Sequence, residues 1–87
     1  MTDLDLSDYL VARTYLTEFP EDPTHEDIGT LIQLADSHDH FVIRERAYDI
    51  LGRLGYPTEL HVAAVDPHLV VRKTGNRWLN EWKVLYV

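Results

Sequence analysis

The chain has 87 residues, 45% of them hydrophobic, with two tryptophans, no cysteine and a formal net charge of −7. A single domain of this size removes roughly 60% of its unfolded surface from water, and this apolar content excludes a disordered chain. The lack of cysteine excludes a disulfide framework and any thiolate ligand or nucleophile. No apolar run approaches the roughly 20 residues that span a bilayer, and the acidic start MTDLDLSDYL has no secretory-leader pattern, so a cytoplasmic protein without a membrane partner is expected.

The charge is polarised along the chain. Residues 1–41 carry ten Asp and Glu against one Arg, a balance of −9; residues 42–87 carry seven Lys and Arg against five acids, a balance of +2. An acidic half steers a chain toward basic partners and away from phosphate backbones, so nucleic acid is the disfavoured ligand.

In chain order, a leading helix is expected over about 6–18 and a helical hairpin over about 25–54. The segment THEDIGTLIQLAD opens the hairpin: Thr24 can cap the first turn with Asp27 three residues on, and Ile28, Leu31, Ile32, Leu34 and Ala35 suit burial. The run DSHDHFVIR then crosses to a second helix, with Asp39 placed to cap it. GRLGYP follows, where Gly55 suits a left-handed helix stop and Pro57 prevents the helix from continuing. A second hairpin is expected over about 58–83, with the tail VLYV packed against it.

The two hairpins are related. VIRERAYDIL (42–51) and VVRKTGNRWL (70–79) align at an offset of 28, which sets Arg44 against Arg72 and Leu51 against Leu79. Ile43, Ala47, Ile50, Leu51 and Leu54 share the spacing of Val71, Gly75, Trp78, Leu79 and Trp82, one stripe of an amphipathic helix. An alternative reading takes LVVRKTGNRWLNEWKVLYV as a β-hairpin turning at Thr74-Gly75-Asn76, which would make the fold α+β rather than all-α.

The segment DPHLVVR resembles the Asp-Pro-x-x-x-Val-Arg turn of HEAT-like helical repeats, at Asp66, Pro67, Val71 and Arg72. RERAYDILGRLG resembles the second helix of short repeats of the phycobilisome-lyase type. The resemblance covers about 24–82 and implies an all-α stack of short hairpins in which the aspartate caps a second helix. His38 departs from that pattern by standing at the aspartate position of the first unit, and Gly75 departs by replacing the usual alanine, at a helix cost of about 1 kcal/mol. Two units are few for such an array, so the leading helix is expected to close one end.

The histidines of DSHDHFVIR lack the partner ligands of a metal site, and the single His25-Glu26 pair has no mate of the kind that HEAT-like metal oxygenases use, so no metal and no other cofactor is expected. Ser7 and Ser37 read as cap or turn hydroxyls, and the scattered acids as solvated surface, so the chain is not expected to be an enzyme. Asp39, Arg44, Asp66 and Arg72 are assigned to the turns, the arginines bonding the carboxylates of Asp39 and Asp66. Asp22, Glu26, Asp27 and Asp36 are assigned to a partner-binding surface. The expected activity is stoichiometric binding of a basic protein, as a small inhibitor or immunity-type protein or as an adaptor. The other reading is a nucleic-acid-associated domain using Arg44, Arg46, Arg53, Arg72, Lys73 and Arg77. Trp78 and Trp82, one turn apart, fit either core packing or an interface.

Overall fold

Short polar side chains and one glycine set the helix boundaries in the computed structural model, which describes residues 5–85 with side chains as far as Trp82. Five helices follow in order, α1 (Tyr9–Thr17), α2 (His25–Ser37), α3 (Phe41–Leu54), α4 (Pro57–Ala63) and α5 (Leu69–Leu85), and the described residues contain no strand. Helix α1 begins three residues later than the expected 6 because its approach is a turn. The Asp5 Oδ1 accepts from the Ser7 amide at 3.2 Å and from the Ser7 hydroxyl at 2.5 Å, and Asp8 then caps the amides of Leu10 and Val11. At α2 the capping box forms in both directions: Thr24 Oγ1 accepts from the Asp27 amide at 3.1 Å, and Asp27 Oδ2 accepts from the Thr24 amide at 2.9 Å.

Helix α3 stops at Gly55, whose φ of 84° is left-handed, and the Tyr56 amide reaches back to the Leu51 carbonyl at 3.1 Å. That is the Schellman closure expected of glycine at a helix end. Pro57 starts α4 at a first-turn position where no amide hydrogen is needed.

The β-hairpin alternative does not hold. Thr74, Gly75 and Asn76 lie inside α5, and Gly75 serves close packing rather than a turn. A Cβ there would stand 2.7 Å from the Ala63 Cβ and 2.9 Å from the Ala64 amide nitrogen, so the missing side chain is what lets α5 cross α4 backbone to backbone.

Helix α3 is the centre of the molecule and packs against each of the other four. Ile43, Ala47, Ile50 and Leu51 of its expected stripe are buried, and Val71 and Gly75 of α5 match them, while Leu54 is 37% exposed. Leu31, Leu34 and Ala35 of α2 and Leu60 and Ala63 of α4 are buried in the same relation. Ala12 and Leu16 put α1 over the free side of α3, where it covers apolar surface that a neighbouring hairpin would otherwise bury. Trp78 and Trp82 are half-buried. The Trp78 ring fills the space a Gly52 side chain would need, at 2.3 Å from a built Cβ, and Trp82 donates its indole hydrogen to the Gly52 carbonyl at 2.7 Å. Both rings therefore pack on the C-terminal half of α3. The expected docking of the tail from Val84 to Val87 lies outside the described side chains.

Candidate partner-binding surface

The offset of 28 between the two hairpins reappears as hydrogen bonds. Arg44 Nη1 donates to the carbonyls of His38 and Asp39 at 2.8 and 3.1 Å, and Arg72 Nη1 donates to those of Asp66 and Pro67 at 2.8 and 2.9 Å. Each guanidinium thus closes the turn that opens its own helix, through backbone oxygen. This corrects the expected pairing of Arg44 with the Asp39 carboxylate. Asp39 is also not the cap of α3. That position belongs to His40, one residue later, which gives no side-chain cap bond.

Arg44 has a second task. Its Nε and Nη2 donate to Asp66 Oδ2 and Oδ1 at 2.9 and 3.1 Å, a two-pronged bond from the first hairpin to the turn of the second. The Arg44 side chain is 13% exposed and that of Asp66 is 7% exposed, so the pair is shielded from water. Burial by itself would raise the Asp66 carboxyl. The Arg44 bond, the His68 amide at 2.8 Å and the charges of Arg44 and His68 outweigh it and hold Asp66 below its usual range.

His38 occupies the first-unit place of Asp66 and performs half of its work. His38 Nδ1 accepts from the His40 amide at 3.0 Å, as Asp66 Oδ1 accepts from the His68 amide. The other half has no counterpart, because four residues past its cap α1 carries Ala12 where α3 and α5 carry arginine. A carboxylate at 38 would be buried with no guanidinium to neutralise it, and a neutral imidazole avoids that cost. Its acceptor role places the proton on Nε2, which is buried and has no hydrogen-bond partner among the described residues. The rings of His38 and His40 are 6.0 Å apart, and no group of three or more His, Asp or Glu among the described residues could hold a metal ion.

The ring contacts also recur from unit to unit. Tyr9, the first residue of α1, lies 4.7 Å from the His40 ring, and Phe41, the first residue of α3, stacks on His68 at 3.7 Å and 3°.

The four acids assigned to partner binding do not form one cluster. Asp22 is exposed in the loop before α2, and Glu26 is exposed in its first turn. Asp27 is half-buried and committed to the capping box. Asp36 is exposed at the far end of α2 but accepts the Tyr48 hydroxyl at 2.7 Å. Asp27 and Asp36 are nine residues apart and so project from opposite sides of α2, and Glu26 lies about 15 Å along the axis from Asp36. Asp22 and Glu26, without a side-chain bond among the described residues, are neighbours in one surface region.

Further interactions lay beyond the sequence expectations. Tyr48 is 1% exposed, and its phenol is pushed above its usual range by burial first and then by the bond to Asp36. Glu59 is pushed upward by burial and by the charge of Asp36. Asp49 of α3 receives both the Arg77 guanidinium and, at 2.7 Å, the Trp78 indole hydrogen, joining α3 to α5. Sequence offset signalled which positions are equivalent, but gave no sign of these cross-helix partners.

The basic residues form no single face either. Arg44 and Arg46 project from α3 about 160° apart. Arg44 is enclosed with Asp66 and Arg77 is paired with Asp49, leaving Arg46, Arg53 and Lys73 exposed. No helix among the described residues is long and apolar enough to cross a membrane. Compared with models of known families, with curated proteins and with solved structures, the chain matches none.

Proposed function

We propose that the protein is a non-catalytic binding module of two HEAT-like hairpins closed at one end by α1, and that its acidic end engages a basic protein as an inhibitor, immunity-type protein or adaptor. The observation that carries this reading is the polarised charge, a balance of −9 over residues 1–41 against +2 over residues 42–87. In the first half Asp22 and Glu26 are exposed and bound to nothing among the described residues, while Arg44 and Arg77 are engaged by Asp66 and Asp49. A rigid scaffold with one strongly acidic half gains its partner chiefly through steering and complementarity. Asp22 and Glu26 are the contact residues of this reading. Asp27 and Asp36 add field from nearby while holding the α2 cap and Tyr48.

The test is capture from the native host with immobilised protein at low and high salt, comparing the wild type with the double variant Asp22→Lys/Glu26→Lys. The reading expects one basic protein to be retained by the wild type, released by salt and lost with the variant. Retention of the same protein by the charge-reversed variant would overturn it. So would oligonucleotide binding that depends on Arg46, Arg53 and Lys73.

A further inference from the structure

The joint between the two hairpins has two halves, and among the described residues each half has a second copy whose outward edge has no partner. The donor half is an arginine four residues past a helix cap. Its Nη1 binds its own turn, and its Nε and Nη2 face the next unit, as Arg44 does toward Asp66. Arg72 repeats the first part, with Nη1 on the carbonyls of Asp66 and Pro67, but its Nε and Nη2 have no partner among the described residues. The C-terminal end of α5 lies about 20 Å along the helix axis from Arg72.

The acceptor half is an aspartate in a turn just ahead of a helix, with one carboxylate oxygen tied to the amide two residues on. Asp66 does this with His68, and Asp5 does it with Ser7. Asp5 is exposed, and its Oδ2 has no partner among the described residues. Apolar residues flank both unused halves. Leu69 is 53% exposed beside Arg72, and Leu10 is 65% exposed in the first turn of α1.

We infer that this chain associates head to tail with a second copy of itself, the Asp5 turn of one copy entering the free Nε–Nη2 edge of Arg72 in the other. A guanidinium edge matches a carboxylate in two parallel bonds, which fixes orientation as well as attraction. The charges agree, since Asp5 belongs to the half with a balance of −9 and Arg72, with the exposed Lys73 beside it, belongs to the half with a balance of +2. The rest of the α5 flank is polar. Asn76, Arg77 and Asn80 stand where α3 has Tyr48, Asp49 and Gly52, so the contact is confined to the first turns of α5 and is weak and reversible. Because the two surfaces differ, each copy in a pair still offers one free half, and assembly continues past the dimer as concentration rises. Neither Asp22 nor Glu26 takes part, so this inference is independent of the partner-binding reading.

Sedimentation equilibrium of the 87-residue chain tests it, from micromolar to millimolar concentration at low and high salt. The wild type is expected to grow in mean mass with concentration and to lose about tenfold or more in association when salt screens the pair. Asp5→Arg, which leaves the Asp8 cap of α1 in place, and Arg72→Asp should each be monomeric, because each sets like charges against one another. An equimolar mixture of the two should associate again, since every junction in it pairs opposite charges. Circular dichroism checks that each variant is folded. If Arg72→Asp does not fold, Asp5→Arg alone decides. A wild type that stays monomeric to millimolar concentration overturns the inference, as does an Asp5→Arg variant that associates like the wild type, or a mixture of folded variants that remains monomeric.

Discussion

Gly75→Ala sets helix propensity against packing at one position. In the middle of a helix, alanine is favoured over glycine by about 1 kcal/mol. At residue 75 the added Cβ would stand 2.7 Å from the Ala63 Cβ, 2.9 Å from the Ala64 nitrogen and 3.1 Å from the Ala63 carbonyl carbon. Two of these neighbours are backbone and cannot rotate aside, so α5 must move away from α4. Overpacking of this kind costs up to about 3 kcal/mol, and the net loss is about 2 kcal/mol. A domain of this length shifts its Tm by about 4–8 °C per kcal/mol, so the midpoint should fall by about 8–16 °C. Gly29→Ala is the control, because it too lies inside a helix and a Cβ there meets nothing within 4 Å. It should gain about 0.5–1 kcal/mol. Urea unfolding followed by far-ultraviolet circular dichroism measures both. If Gly75→Ala stabilised the protein as Gly29→Ala does, the close crossing of α4 and α5 would be refuted.

Arg44→Ala should cost about 3–5 kcal/mol in urea unfolding, because it leaves the Asp66 carboxylate buried without a counter-charge. Arg44→Ala combined with Asp66→Ala should recover part of that loss, whereas additive effects would show that the two residues do not interact. The depressed Asp66 carboxyl also predicts an acid limb. A group whose folded pKa is lowered contributes stability that is present above its unfolded value, here 3.8, and that disappears as pH falls through the folded value. Glu59, raised by burial and by Asp36, works in the opposite sense: its contribution is present below 4.5 and is lost as pH rises through its folded value. The urea midpoint of the wild type should therefore drop below about pH 4 more steeply than that of Asp66→Asn, and equal slopes would remove Asp66 as the cause.

Features of the fold governed by local chemistry were legible in the sequence. Thr24 and Asp27 sit three residues apart and can satisfy only each other's amides, and Gly55 followed by Pro57 leaves a helix no way to continue. The spacing shared by Ile43, Ala47 and Leu51 with Val71, Gly75 and Leu79 marked both second helices. Gly75 was ambiguous, since a glycine between threonine and asparagine also reads as a turn. Only the position of Ala63 and Ala64 across the helix crossing resolves it. The turn cap was misplaced by one residue because Asp39 has the better capping side chain, yet the chain enters α3 through His40 and His38 holds the turn.

The surface was less legible than the fold. Asp36 looked like a free acid and holds the Tyr48 hydroxyl. Such an engagement depends on a residue of another helix, and no spacing rule announces it. Arg44 shows the same limit from the other side. The offset of 28 identified its equivalent, Arg72, but not its partner Asp66, because equivalence between units says nothing of contact across them.

The most direct test of the account is a calorimetric titration of the captured basic protein into this chain at two salt concentrations, alongside a DNA duplex of matched length. The account predicts one partner per chain, an affinity that falls with salt and collapses in Asp22→Lys/Glu26→Lys, and no heat from the duplex. Saturable binding of the duplex, with partner affinity untouched by the charge reversal, would contradict it.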